Sequence, residues 1–255
     1  MEINQAENNE KEDQNKKHSE NNFINEGVEF ELKGKKIQIL KQENAENMKY
    51  NLAFKVIVIG NSYVGKSCLV NSALKNRFVD GYSSTIGFDY CSFYIKINND
   101  IIKLQIWDAC GQEIYQSLIS NFYRNSSLAI MVYAINDKAS FENLDIWLKD
   151  LKKDASPDIK TILIGNKCDL ESERKIQKNV AEAYAKDFSF LSFYETSAKT
   201  GFNAQKVFIN SAVILYEDYK QYEMQGKIRY DQNEDKSSSQ LTRKKKVQKK
   251  EGGCC

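Results

Sequence analysis

The stretch FKVIVIGNSYVGKS, residues 54–67, determines the architecture expected of this chain. Its first half is a continuous apolar run ending in glycine, which is typical of a strand buried on both faces of a parallel sheet. Its second half, residues 60–67, fits the pattern GxxxxGK[ST], and a helix-like stretch, SCLVNSALKN, follows. Glycines allow a tight turn whose backbone N–H groups point inward, and the helix N-terminus adds positive potential. The sequence therefore predicts a phosphate-binding loop.

Two side chains of this loop carry specific chemistry. Lys66 can reach the outer phosphates of a nucleotide, and the Ser67 hydroxyl can coordinate Mg²⁺. An ordinary glycine-containing turn is the alternative, but the strand and helix that the motif requires are both predicted. The remaining loop residues assigned to phosphate binding are Gly60, Ser62, Tyr63, Val64, Gly65 and Cys68.

Apolar runs alternate with helix-like stretches along the rest of the domain. This alternation predicts an α/β fold with a mostly parallel six-stranded sheet and helices on both faces. Besides the first strand, the strand candidates are residues 88–97, 100–107, 128–134, 160–165 and 190–195. The further helix candidates are 114–122, 140–153, 174–187 and 203–221, and Ser140 is predicted to begin the second of these. Ligands of such sheets bind at the carboxyl ends of the strands, where the motifs fall.

The two ends of the chain differ in composition from this domain, which is assigned to residues 51–222. Residues 1–50 are polar and net acidic, and we expect them to be mostly disordered. Within them, residues 28–40 (VEFELKGKKIQIL) alternate apolar and polar side chains around Lys-Gly-Lys, which indicates either a β-hairpin or a locally sticky linker. Residues 223–255 are net basic and predicted to be a flexible tail.

Composition excludes several functional classes. The six cysteines form no CxxC pair or metal quartet, and no signal peptide opens the chain, so a cytosolic domain with reduced thiols is expected. Apolar runs reach only about eight residues, well below the roughly 20 that a membrane helix needs. The single histidine, His18, lies in the polar extension, which excludes a Ser/His/Asp triad.

The segment Asn166-Lys167-Cys168-Asp169 indicates which base accompanies the phosphates. An Asp carboxylate can accept hydrogen bonds from guanine N1–H and the N2 amino group, and adenine lacks this donor pair. A site built in this way rejects the wrong base, because a charged acceptor would remain unpaired. A polar loop is the alternative reading of four such residues. The position of this segment, after an apolar strand and about 100 residues beyond the phosphate-binding loop, favours the guanine site.

Together with WDACGQE at residues 107–113 and ETSAK at 195–199, these motifs resemble the Ras superfamily of small GTPases, over about residues 53–220. The resemblance implies a P-loop small-GTPase fold, GTP or GDP with Mg²⁺ as ligands, and slow GTP hydrolysis. It implies catalytic roles for Gln112, which orients water, for Gly111, which senses the γ-phosphate, and for Lys66. It implies Mg²⁺ ligation by Ser67, Thr85 and, through water, Asp108. The nucleotide contacts that it adds are Phe78, Tyr82, Asn166, Lys167, Asp169, Ser197, Ala198 and Lys199.

Four segments resemble the Rab branch in particular: STIGFDY at residues 84–90, KLQIWD at 103–108, FYR at 122–124 and the terminal GGCC. The resemblance implies prenylation of Cys254 and Cys255. It implies an effector surface formed by Ile86, Gly87, Phe88, Tyr90, Trp107 and Phe122, although partly buried packing is an alternative for the last two. The basic run before the terminal cysteines would favour anionic lipid, while a nuclear signal or a solvated tail is the alternative.

The partners implied are an exchange factor, a GTPase-activating protein, effectors that read the switch loops, a GDP-dissociation inhibitor and a prenyltransferase escort. No nucleic-acid partner is expected. The expected location is the cytoplasmic face of an intracellular membrane, with an escort-bound cytosolic pool, and the expected role is a switch in vesicle trafficking. Cys110 and Ala109 depart from the usual Ala and Thr, and Tyr63 is bulky for its position. Cys110 and Tyr63 motivate the alternative of a GTP-binding scaffold with weak or absent hydrolysis.

Overall fold

The computed structural model describes residues 27, 29–40, 48–75, 78, 88–109 and 122–225. Within them, helices follow four of the six strands that lie between residues 52 and 195. The strands are β1 Glu29–Leu32, β2 Lys35–Ile39, β3 Leu52–Ile59, β4 Phe88–Ile97, β5 Asp100–Ala109, β6 Leu128–Ala134, β7 Lys160–Asn166 and β8 Ser192–Glu195. The α-helices are α1 Lys66–Lys75, α2 Lys138–Glu142, α3 Leu144–Asp154, α4 Lys178–Asp187 and α5 Ala204–Met224.

The described strands form one sheet in the order β1-β2-β4-β5-β3-β6-β7-β8. The ladders that join β5, β3, β6, β7 and β8 are parallel, and those that join β1, β2, β4 and β5 are antiparallel. The predicted α/β fold is confirmed. The carboxyl ends of β3, β5, β6, β7 and β8 all lie at one edge, which is where the predicted motifs begin.

The described sheet contains all six predicted strands and two more, β1 and β2, which come from the N-terminal extension. Residues 29–39 form the hairpin that was one of two alternatives, with Lys33 and Gly34 at its turn, both at positive φ. Two such residues are what a type I′ hairpin turn requires. The hairpin pairs with β4, where Ile37 lies opposite Ile97 and Ile39 opposite Ile95. Both hairpin isoleucines are fully buried, so this part of the extension belongs to the folded core.

Helices cover both faces of the sheet, and β3 shows why its sequence is apolar throughout. Val56 and Val58 belong to a core cluster that includes α1 and α5 side chains. Ile57 and Ile59 point to the opposite face and belong to a second cluster with α3 and α4. Each face of β3 is therefore covered, and the run buries side chains at every position from 56 to 59.

Two helix predictions differ from the structure. The predicted helix 140–153 is divided into α2 and α3, and its first turn begins earlier because the Asp137 side chain accepts hydrogen bonds from Ala139 N and Ser140 N. The predicted helix 174–187 begins only at Lys178, because Gln177 has an extended backbone. The predicted helix 114–122 lies almost wholly outside the described residues. In the part of the chain that the structure describes, every helix is too short or too polar to cross a bilayer.

Candidate functional site

The phosphate-binding loop lies between β3 and α1, and its glycines are there because larger residues would not fit. Gly60 has φ +139°, and a Cβ at that position would come within 2.1 Å of the Val132 carbonyl oxygen. Gly65 has φ +91°, and its Cβ would come within 2.5 Å of Asn166 Nδ2. Both the conformation and the close approach of neighbouring chain therefore require glycine. Tyr63 also has positive φ, +63°, and its side chain is 77% exposed.

Lys66 is the first residue of α1, and its side chain returns over the loop. The Lys66 ammonium donates hydrogen bonds of 2.8 Å to the carbonyl oxygens of Gly60 and Asn61. The residue is 6% exposed, so a buried positive charge is fixed inside the curve of the loop. A cation held at this glycine-rich turn is suited to binding phosphate oxygens.

The side chains of Ser67 and Asp108 form a second polar contact of the site, beside that of Lys66. The Ser67 hydroxyl donates a hydrogen bond to Asp108 Oδ2, which joins α1 to the carboxyl end of β5. Asp108 is 2% exposed, and its Oδ1 has no hydrogen-bond partner among the described residues. Burial, opposed by the bond from Ser67 and the charge of Lys66, raises the pKa of the Asp108 carboxyl to about 6. A buried carboxylate oxygen without a partner, next to a hydroxyl, fits a site for Mg²⁺, which prefers oxygen ligands.

Asn166, at the end of β7, connects the phosphate-binding loop to the loop after β8. Its Nδ2 donates to the carbonyl oxygens of Val64, at 2.9 Å, and Gly65, at 3.4 Å. Its Oδ1 accepts from Thr196 Oγ1 at 3.0 Å and from Ala198 N at 3.3 Å. Asn166 is 1% exposed, so these bonds are shielded from water. One side chain thus joins the predicted phosphate and base segments at the same edge of the sheet.

The predicted base-binding residues lie around this connection. The carboxylate of Asp169 is exposed, and its Oδ1 accepts a hydrogen bond of 2.5 Å from the buried Ser197 hydroxyl. Lys167 has φ +65°, and its side chain passes within about 4.0 Å of the position of a Cβ on Gly65. Ala198 is buried and Lys199 is exposed. One carboxylate oxygen is held by Ser197, and the group remains accessible to a ligand.

Arg174 supports the same region and was not predicted from the sequence. Its guanidinium donates to both carboxylate oxygens of Glu195, at 2.6 and 3.1 Å, and to Glu171. These bonds raise the pKa of Arg174 further above its usual range. Glu195 is the last residue of β8, so the pair fixes the start of the loop that carries Ser197 and Ala198. A bidentate pair is directional as well as attractive. An arginine in a polar loop gives no sequence signal for this contact.

Four aromatic side chains predicted for effector binding lie together on β4, β5 and the segment before β6. The Phe88 and Phe122 rings stack with centroids 3.6 Å apart, and the Trp107 centroid is 5.1 Å from that of Tyr90 and 5.3 Å from that of Phe122. The Lys55 ammonium lies 5.5 Å from the Trp107 centroid. Tyr90 is 43% exposed, while Trp107 and Phe122 are half-buried. Their role in effector binding stays a prediction.

Three more of the predicted site residues are described, and the others fall outside the described residues. Phe78 is described and is 36% exposed, and Cys68 is half-buried on α1. Ser62 lies in the phosphate-binding loop and is also half-buried. The remaining predicted site residues lie outside the described residues: Tyr82, Thr85, Ile86, Gly87, Gly111, Gln112, Cys254 and Cys255. The departures from the family pattern include Cys110, which lies outside them as well, and Ala109, which is buried at the end of β5.

Comparison with known proteins identifies the family to which these motifs belong. The family model described as Ras family matches residues 55–216. The chain is 40% identical to "Ras-related protein Rab-13" of Bos taurus over 163 residues, which is 64% of this chain and 80% of the relative. The Rab-13 of Rattus norvegicus gives the same values, and that of Mesocricetus auratus is 40% identical over 159 residues, 62% of this chain and 78% of the relative. This chain therefore belongs to the Ras family, as a Rab-like small GTPase that binds GDP or GTP with Mg²⁺ and hydrolyses GTP.

Proposed function

We propose that this GTPase is a membrane-tethered molecular switch in vesicle trafficking that hydrolyses GTP slowly. The observation that carries the proposal is the Asn166 side chain, which joins the phosphate-binding loop to the loop that includes Ala198. A single nucleotide that spans these two loops would be held at its phosphates and at its base. Loss of the γ-phosphate would then change the conformation of the neighbouring loops, which is what a nucleotide switch requires.

For binding, the described residues of the site have separate tasks. Lys66 and the amides of the phosphate-binding loop hold the phosphates, and the accessible carboxylate of Asp169 accepts hydrogen bonds from guanine. The stem of Lys167 and the ring of Phe78 cover the base, while Ser197 and Lys199 support the loop that approaches it. Ser67 and Asp108, whose side chains lie together, would hold Mg²⁺, Asp108 through water as the family resemblance implies. Mg²⁺ supplies neutralisation of the charge that develops on the phosphate oxygens.

For hydrolysis, the proposed groups are Gln112, which orients the attacking water, Gly111, whose N–H contacts the γ-phosphate, and Lys66. Phosphoryl transfer depends mainly on positioning and electrostatic stabilisation. The sequence offers no evident arginine finger in the chain itself, so turnover is expected to be slow until a GTPase-activating protein supplies one. The partner, and not the chain itself, would then control the rate of hydrolysis.

For switching, Thr85 and Gly111 hold two loops while a γ-phosphate is present, and its loss releases them. Effectors would recognise the loop shape together with Ile86, Gly87 and the aromatic cluster of Phe88, Tyr90, Trp107 and Phe122. Exposed aromatic residues are frequent anchors of protein interfaces. The exchange factor would act on the same loops from the GDP-bound state.

For membrane attachment, Cys254 and Cys255 would carry prenyl groups added with the help of an escort protein. One lipid chain anchors only marginally, whereas two give stable attachment, and the preceding basic run adds attraction to anionic lipid. A GDP-dissociation inhibitor would keep a cytosolic pool. The test is flotation of the prenylated chain with liposomes, compared with a Cys254→Ser/Cys255→Ser variant, which is expected to stay unbound.

The central test measures nucleotide selectivity and single-turnover phosphate release. Asp169→Asn should lose most of its preference for GDP over ATP and other nucleotides, because an amide no longer offers two acceptors. The matched control is Asp158→Asn, an exposed aspartate between α3 and β7, which should bind GDP like the wild type. Equal selectivity of Asp169→Asn and wild type would refute the base-binding role.

A scaffold that binds GTP but hydrolyses little remains the alternative, motivated by Cys110 and Tyr63. The side chain of Tyr63 is exposed, which is compatible with GTP binding in both alternatives and does not separate them. The distinguishing measurement is phosphate release by wild type and Cys110→Ala under single-turnover conditions. Release by the wild type supports the switch. No release by the wild type, with recovery in Cys110→Ala, supports the scaffold.

A further inference from the structure

A hydrogen bond connects helix α3 directly to the phosphate-binding loop. The indole N–H of Trp147 donates to Asn61 Oδ1 at 2.8 Å, although the two residues are 86 positions apart. Asn61 directly follows Gly60, the first glycine of the loop. None of the nucleotide-binding roles described above includes this contact.

Both partners of this bond are held by other contacts. Trp147 is 6% exposed and packs in the core cluster that also contains Leu148 and Ile59, so its N–H is presented from a fixed ring. The main-chain carbonyl of Asn61 accepts a second hydrogen bond, of 2.8 Å, from the Lys66 ammonium. Asn61 is therefore fixed through its side chain by α3 and through its backbone by the lysine that is assigned to the phosphates.

We propose that Trp147 is a positioning residue for nucleotide binding, which acts through Asn61 on the Lys66 ammonium. A fixed Asn61 peptide holds its carbonyl oxygen where Lys66 needs it, so the cation and the adjacent loop amides are arranged before the phosphates arrive. Such preorganisation lowers the entropic cost of binding. The inference deepens the proposed role of Lys66 and rests on it.

The competing explanation is that Trp147 only fills the core. The two explanations differ for Trp147→Phe, which removes the N–H donor and keeps an aromatic ring. A positioning role predicts that GDP dissociates about three- to tenfold faster, the effect expected from losing one ordinary hydrogen bond. A packing role predicts a lower melting temperature without a specific effect on nucleotide release.

The experiment is a double-mutant cycle on the full chain loaded with fluorescent GDP and Mg²⁺. The variants are Trp147→Phe, Asn61→Ala and the double variant, and the readouts are the GDP dissociation rate and the melting temperature. The matched control is Leu148→Val, a core change on the same helix that leaves the Trp147–Asn61 bond in place. The inference predicts that both single variants speed release, that the double variant adds little, and that Leu148→Val releases GDP at the wild-type rate.

Additive effects of the two single variants, or equal acceleration by Leu148→Val, would overturn the inference. If Trp147→Phe does not fold, Asn61→Ala carries the test alone, and an unchanged dissociation rate would overturn it. Failure of the wild type to retain GDP would instead overturn the proposed site itself. If the wild type retains GDP and the effects of the two single variants on the dissociation rate are additive, the proposed site stands and only the role of Trp147 is rejected.

Discussion

Replacement of Asn166 by alanine tests whether the site works as one unit. The change removes four hydrogen bonds, to Val64, Gly65, Thr196 and Ala198, of which those of 3.3 and 3.4 Å are long. A net value of about 1 kcal/mol for each short bond and about half that for each long one gives a loss of about 3 kcal/mol. In a site whose two loops bind nucleotide only as one unit, this loss falls on binding, and because about 1.4 kcal/mol corresponds to a tenfold change, GDP affinity should fall about 100-fold.

The assay is competition of GDP against a fluorescent guanine nucleotide, with a thermal melt of the same samples. Thr196→Val is the matched control, because it is nearly isosteric and removes only the donor to Asn166 Oδ1. It should weaken GDP binding by about fivefold, in keeping with one bond of about 1 kcal/mol. A loss in Asn166→Ala no greater than that in Thr196→Val would refute the reasoning, since the connection to the phosphate-binding loop would then contribute nothing.

Three further outcomes follow from the described contacts. Gly65→Ala should lower GDP affinity at least about tenfold, because its Cβ would meet Asn166 Nδ2 at a φ of +91°, and unchanged competition binding would contradict this. Ile37→Ala should lower the free energy of unfolding by about 2–5 kcal/mol in urea denaturation, because the side chain is fully buried, whereas the exposed Lys33→Ala should change it by under about 0.5 kcal/mol. Burial, with the charges of neighbouring carboxylates, raises the pKa of Cys168 to about 11, so its thiol is protonated at pH 8. The rate of Cys168 alkylation, measured by peptide mapping, should be lower than that of a cysteine in a short peptide and should rise about tenfold per pH unit up to that pKa. A rate equal to that of the peptide cysteine would contradict this.

Local patterns predicted the strand, loop and helix around Lys66, because each depends on neighbouring residues. The run from 54 to 59 is buried on both faces, and the glycine spacing matches the positive φ angles at Gly60 and Gly65. The start of α2 also depends on neighbouring residues, since Asp137 is a favourable N-cap and its side chain accepts hydrogen bonds from Ala139 N and Ser140 N. The helix therefore begins at Lys138, before the predicted start at Ser140.

Contacts between distant segments were not predictable in the same way. Alternation around Lys33 and Gly34 indicated a hairpin, but nothing in those residues specifies that Ile37 should lie opposite Ile97 of β4. The Trp147–Asn61 bond spans 86 positions, and an apolar helix face predicts only burial for the tryptophan. Tertiary packing determines such pairs, and hydrophobic periodicity carries no information about the partner.

The hairpin has a practical consequence for work with shortened forms of this protein. A chain that begins at residue 51 would keep every nucleotide-binding motif and would lose the strand that pairs with Ile95–Ile97. That stretch would then offer unpaired backbone groups beside apolar side chains, which invites self-association between copies. Among the described strands the outermost is β1, which carries the exposed residues Glu29 and Glu31, and their charges oppose the addition of another strand. Truncation at residue 51 would therefore replace a charged sheet edge with an apolar one that can pair with another copy. Light scattering of the full and shortened forms would detect the resulting self-association.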